Sequence, residues 1–296
     1  MRDPAAYSAH ERLLREARAR PELWRLVLGL VIILTLYIAL NSVLFAVVGR
    51  LLASHRDQGL LQATSAFTTL VLLISFGFLT LGVAVAARQL QRRSLASILG
   101  PFSLFLRQFW QVFRALVILG LVMMVLPPYG MGEPLTQNLA LSTWLLLFPL
   151  SAIAVLIQTS AEEVLFRGYI QQSLAARFRS PVIWIGLPSV LFAAGHYAPG
   201  ITGENALLVA VWSCVFGLLA ADLTARAGTL GPAIAMHFMN NTIALLFISL
   251  PETLSGLALY LLPFGMSESG LLRQWLFVDF AAMIVSWLTA RLALRR

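Results

Sequence analysis

Apolar runs long enough to cross a bilayer follow one another from residue 25 to residue 293, and most of the charge lies between them. A helical span needs roughly 20 mostly apolar residues. Such runs occupy 25–49, 63–87, 108–127, 139 to about 176, 182–198, 206–225, 230–250 and 271–293. Only 11% of the 296 residues are charged and 59% are hydrophobic, whereas soluble domains carry about 25% charged residues. The pattern predicts an all-α, polytopic membrane bundle of about eight transmembrane helices. No repeat and no long soluble loop interrupts it, so residues 25–296 read as one membrane domain behind an Arg-rich segment, 1–24. The first run is too long for the core of a cleaved secretory signal, roughly 7–15 residues, and reads as the first span.

The formal charge of +8 does not point to nucleic acid. The basic residues flank apolar runs instead of clustering on a soluble face. Arg12, Arg15, Arg18, Arg20 and Arg25 precede the first run. Arg88, Arg92, Arg93 and Arg107 fill the second connection, Arg177 and Arg179 the fourth and Arg226 the sixth, and Arg291, Arg295 and Arg296 end the chain. The third, fifth and seventh connections hold Glu133, Glu204, Glu252 and Glu268 and no Arg, and Arg50 and Arg56 break the pattern mildly in the first. Under the positive-inside rule both termini are cytoplasmic, as an even number of spans requires. All 21 basic residues are Arg, and the composition suggests a bacterial plasma membrane. A lone cysteine, Cys214, can form neither an internal disulfide nor a thiolate zinc site.

The amino-terminal "AHERLLREARARPELWRL" has a helical charge pattern. It reads equally as an interfacial helix and as a solvated Arg-rich flank. Its "HERLL" is no zinc motif, because Leu14 stands where H-E-x-x-H needs the second His.

Ionisable groups inside spans are costly and raise a functional hypothesis. In "QTSAEEVLFRGYIQQ", Glu162 and Glu163 point about 100° apart on a helix. Glu163 and Arg167 are i, i+4 and share a face, as an ion pair would. Glu162 is then left unpaired within its own helix, and a buried carboxylate of that kind suits acid–base chemistry. All three could equally lock a helix end. In "SVLFAAGHYAPG", Phe192 and His196 share a face. In "AIAMHFMNNTIAL", His237 and Asn241 do so, either as donors to one spot or as interhelical glue. The glycosylation pattern at Asn240 lies mid-span, out of reach of modification.

Depth decides whether these residues can meet. If the fourth helix bends at Pro149 and runs on to Arg177, Glu162 lies roughly 22 Å above that end and His196 roughly 21–23 Å. His237 and Asn241, counted from Leu230, lie at roughly 10–17 Å. If the span were 139–160 alone, Glu162 would fall at the cytoplasmic edge.

E-E-x-x-x-R, F-x-x-x-H and H-x-x-x-N, in that order on successive helices, resemble the CPBP intramembrane proteases, the group of type II CAAX prenyl endopeptidases and Abi proteins linked to bacteriocin immunity. The resemblance covers about 143–250. It implies that Glu162 is the general base, that His196 helps it activate a water, and that His237 and Asn241 stabilise the oxyanion, with Glu163, Arg167 and Phe192 supporting. It implies a glutamate-dependent endopeptidase without cofactor, acting near the end of a membrane-associated or lipidated peptide or protein. A metal-dependent variant would use Glu162, His196 and His237 as an open His₂Glu site. A non-catalytic immunity or scaffold protein of the same fold is the alternative from another class. The partners expected are the bilayer and a peptide or membrane-protein substrate.

Overall fold

The computed structural model describes residues 6–52, 62–125, 134–266 and 268–295. Arg56, Glu133 and Arg296, used in the orientation argument, lie outside the described residues.

The chain is a helical bundle. A short α1 (Glu11–Ala17) is followed by the long helices α2 (Leu23–Leu51), α3 (Ala66–Gln91), α4 (Phe102–Val125) and α5 (Leu141–Arg177). Then come α6 (Val182–His196), α7 (Ala206–Ala227), α8 (Gly231–Thr242) and α9 (Ser269–Leu294). Without water to bond free backbone groups, a bilayer admits helices whose hydrogen bonds close within the segment. Among the described residues, six helices are long and apolar enough to cross a membrane, the run that ends at Ala227 beginning at Pro199. The predicted spans at 182–198 and 230–250 are helices too, but shorter: α6, and α8 continued by a π-helical turn over Ile243–Phe247.

Bundle packing brings α6 against α7, α8 against α4, α5 and α7, and α2 against α3. Gly217 sets the α6–α7 distance, because a Cβ there would stand 2.9 Å from the Ser189 Cα. Small residues at such crossings let two backbones approach. At one end, three two-residue strands, β1 (Thr136–Gln137), β2 (Ile248–Ser249) and β3 (Tyr260–Leu261), pair in the order β1-β3-β2. β1 runs antiparallel to β3, in the register Thr136 with Leu261, and β2 parallel to it, Ile248 with Tyr260.

α5 runs from Leu141 to Arg177 as one helical path. Pro149 sits inside it, removing one backbone hydrogen bond without ending it. The helix does not stop at residue 160. Directly after the Glu pair it loosens into a π-helical stretch, Val164–Ile170, a geometry found often at functional sites.

Leu230, just before α8, is fully buried, its N–H bonded to the Leu99 carbonyl at 3.1 Å, and α8 brings His237 against Glu162, the meeting of motifs that the depth count allowed.

The amino-terminal segment is more than a solvated flank, because one face of α1 packs on the bundle. Leu13, Leu14 and Ala17 of α1 are buried, the two leucines within the main hydrophobic core. Tyr7 donates to the Asp222 carboxylate at 2.8 Å, and Asp222 also accepts from Arg226 at 2.8 Å and Trp287 at 3.1 Å. Arg93, 2% exposed, donates to the Gln172 amide oxygen at 2.5 Å and to the Leu13 carbonyl at 3.3 Å. Burial lowers its guanidinium to about 10, which leaves it charged at neutral pH.

His10 is buried against Trp184, with ring centroids 4.9 Å apart. Burial lowers its imidazole from 6.5 to about 4, Arg18 lowering it further and Glu11 partly opposing. The docked segment therefore binds fewer protons than the undocked one between those values. Docking is fully stabilised above about pH 6.5 and loses about 3 kcal/mol as pH falls to 4. Hydrogen exchange of residues 8–17 should rise steeply over that window. His10→Phe should flatten the profile, and a profile unchanged by this substitution would contradict the assignment to His10.

Candidate active site

Three hydrogen bonds run as rungs between α5 and the antiparallel α8 with its π-helical continuation. Trp144 Nε1 donates to the Leu246 carbonyl at 2.7 Å, Asn241 Nδ2 donates to Gln158 Oε1 at 2.9 Å, and His237 Nδ1 bonds Glu163 Oε1 at 2.8 Å. The carboxylate of Glu163 can only accept, so the proton of that last bond belongs to Nδ1. These rungs set the register in which the first and third motifs face each other.

At the lowest rung the charges are all buried. Arg167 Nη1 donates to the same Glu163 Oε1 at 2.8 Å, with the two side chains 1% and 0% exposed. Glu163 thus holds a guanidinium and an imidazole together. Arg167 also lies over the Phe192 ring, 4.7 Å from its centroid, an attractive arrangement for a cation. Its Nη2 and the second oxygen of Glu163 have no hydrogen-bond partner.

Glu162 differs from its neighbour. It is 9% exposed, its Oε2 has no hydrogen-bond partner, and that oxygen stands 3.6 Å from His237 Nε2. With Nδ1 committed to Glu163, Nε2 is the free edge of the imidazole. The gap is too long for a direct hydrogen bond.

Aromatic rings wall the site. Phe192, 2% exposed, has its ring 4.4 Å from the His196 ring, 5.1 Å from Phe166, 6.0 Å from Phe216 and 6.1 Å from His237. Phe216 meets His237 edge to face at 4.9 Å. His196 is half-buried at the end of α6, and its Nδ1 bonds the carbonyl of Phe192 at 2.8 Å. No hydrogen bond or ion pair joins His196 to Glu162 among the described residues. Asn241 is half-buried, and its side-chain oxygen accepts from Asn240 at 3.1 Å.

The fold therefore brings Glu162, Glu163, Arg167 and His237 into direct contact, sets Asn241 one turn along α8, and sets His196 across the Phe192 ring. Among the described residues, no group of three or more His, Cys, Asp or Glu side chains is arranged to hold a metal ion. Three features escaped the sequence reading: Gln158 as partner of Asn241, Phe216 as a wall, and the His237–Glu163 bond. Gln158 had a signal, since it is i−4 to Glu162 and shares its face. Phe216 had none beyond its place in an apolar run.

A family model described as type II CAAX prenyl endopeptidase, Rce1-like, matches residues 141–243, from the start of α5 through α8. A protein of Bacillus subtilis (strain 168), printed as "Uncharacterized protein YyaK", is 25% identical over 258 residues, covering 82% of this chain and 84% of its own length. No solved structure matches. The matched segment contains every residue of the candidate site, in a multi-pass membrane protein. Residues 141–243 match the model of the Rce1-like family of type II CAAX prenyl endopeptidases, and the match is consistent with the CPBP group that the three motifs resemble.

Proposed function

We propose that this chain is a glutamate-dependent intramembrane endopeptidase, cutting near the end of a membrane-associated peptide or protein with an apolar or lipidated tail. One observation carries the reading. In a site where Glu163 is neutralised by Arg167, the adjacent Glu162 keeps a buried oxygen without a partner, 3.6 Å from an imidazole nitrogen.

In this reading a water sits on Glu162 Oε2, with the Nε2 edges of His237 and His196 available to orient it. The water oxygen attacks the scissile carbonyl carbon, and its proton passes to Glu162. The oxyanion receives N–H bonds from His237, when Nε2 carries a proton, and from the Asn241 amide. One Asn241 hydrogen is already spent on Gln158, which fixes the amide plane and leaves the other to donate. A protonated His237 makes the set of Glu162, Glu163, Arg167 and His237 neutral overall, the arrangement a low dielectric favours. Collapse breaks the C–N bond, and Glu162 returns its proton to the leaving amine. General acid–base transfer contributes about 10²–10⁴-fold, and an oxyanion donor about 10²–10³-fold.

The test is cleavage of a fluorogenic peptide by the purified chain in detergent, with and without an alkyl tail, before and after prolonged chelation. The tailed peptide should be cut at least tenfold faster in kcat/KM, and chelation should leave the rate unchanged. Equal cleavage of both peptides would overturn the substrate class. Loss of activity on chelation would overturn the metal-free mechanism.

A further inference from the structure

A second polar feature lies behind the candidate site, on the far side of Phe216 and beside the α8 motif. Between α4, α8, α9 and the 248–266 loop there is a cavity of about 480 Å³, within the range of roughly 300–1,000 Å³ typical of small-molecule sites. Its wall is almost wholly apolar. Met123, Met239 and Met283 lie on three different helices, and Trp275 adds an aromatic face. Methionine thioethers are adaptable, polarisable surfaces for chains of variable shape. Within this lining the one ionisable side chain is Asp279, and no Arg or His lines the cavity.

Asp279 is the one acidic residue of α9. It lies ten residues into α9, and among the described residues it enters no ion pair. The polar side chain facing it is the Trp212 indole, whose N–H approaches without closing a regular hydrogen bond. An acidic residue within a membrane helix is rare and usually serves a site. The pocket therefore has a carboxylate on an otherwise greasy wall, an aromatic ring suited to a cation, and no positive charge of its own.

We propose that this cavity binds a free amphiphile made of an apolar chain and one protonated amine, with the ammonium on Asp279 and the chain among the methionines. Charge complementarity selects the cation. A fatty acid would set two carboxylates together, and a neutral chain would leave Asp279 unanswered. The cavity shares Phe216 with the candidate active site, the ring that meets His237, so a ligand here would press on the wall of that site. Binding itself is read without turnover and stands apart from the protease reading.

The experiment is equilibrium binding of dodecylamine, dodecan-1-ol and dodecanoic acid to the full chain in detergent, with a photoreactive alkylamine mapped by peptide mass spectrometry. Wild type should bind the amine at least tenfold more tightly than the alcohol, and the acid most weakly. Crosslinks should fall on residues of α4, α8 and α9 that line the cavity. Asp279→Asn should bring the amine to within about twofold of the alcohol while alcohol binding persists. Equal amine and alcohol affinity in wild type, an amine preference that survives Asp279→Asn, or crosslinks confined to other helices would each overturn the proposal.

Discussion

Arg167→Met should destabilise the bundle by about 3–5 kcal/mol, because it strips a buried carboxylate of its countercharge. Glu163 is fully buried, and its other partner, His237, is charged only when protonated. Thermal unfolding in detergent should show a large fall in Tm, with activity lost through loss of fold. A companion variant separates the ion pair from mere packing. Glu163→Leu combined with Arg167→Met removes both charges and should recover part of the loss, since a paired apolar replacement avoids the lone buried charge. If Arg167→Met melted with the wild type, or the double variant were no better than the single, the ion pair would not be the lock at this turn of α5.

Glu162→Gln is the opposite case. The substitution keeps the shape of the side chain and removes a carboxylate whose buried Oε2 has no hydrogen-bond partner among the described residues. Stability should change little, and His237 keeps its bond to Glu163. Hydrolysis should fall by about 10²–10⁴-fold, the usual contribution of a positioned general base. The two adjacent glutamates thus make a paired prediction: the turn around Glu163 is needed for the fold, and Glu162 for the chemistry.

Much of this was legible in the residues. Long apolar runs can satisfy their backbones in a membrane as helices, and helices stand at every place where a run was read. The i, i+4 spacing of Glu163 and Arg167 gave their pairing directly, because helix geometry is fixed. What the residues did not show is what faces each helix. Leu230 docks on Leu99 at the start of α8, and no periodicity reports a docking partner. The amino-terminal arginines suggested an interfacial or solvated helix, yet Leu13 and Leu14 join the core. A two-leucine face is the same in sequence whether lipid or protein covers it. The Gln158–Asn241 bond spans 83 positions and follows only from the packing of α5 on α8.

In the proposed mechanism Glu162 acts while Glu163 holds. The most direct measurement is therefore the initial rate of tailed-peptide cleavage by Glu162→Gln, taken with its Tm on one preparation and compared with wild type. A Tm within about 2 °C of wild type with a rate at least 100-fold lower is the expected result, on the scale of a lost general base. A variant that keeps wild-type stability and cuts at the wild-type rate would contradict the account.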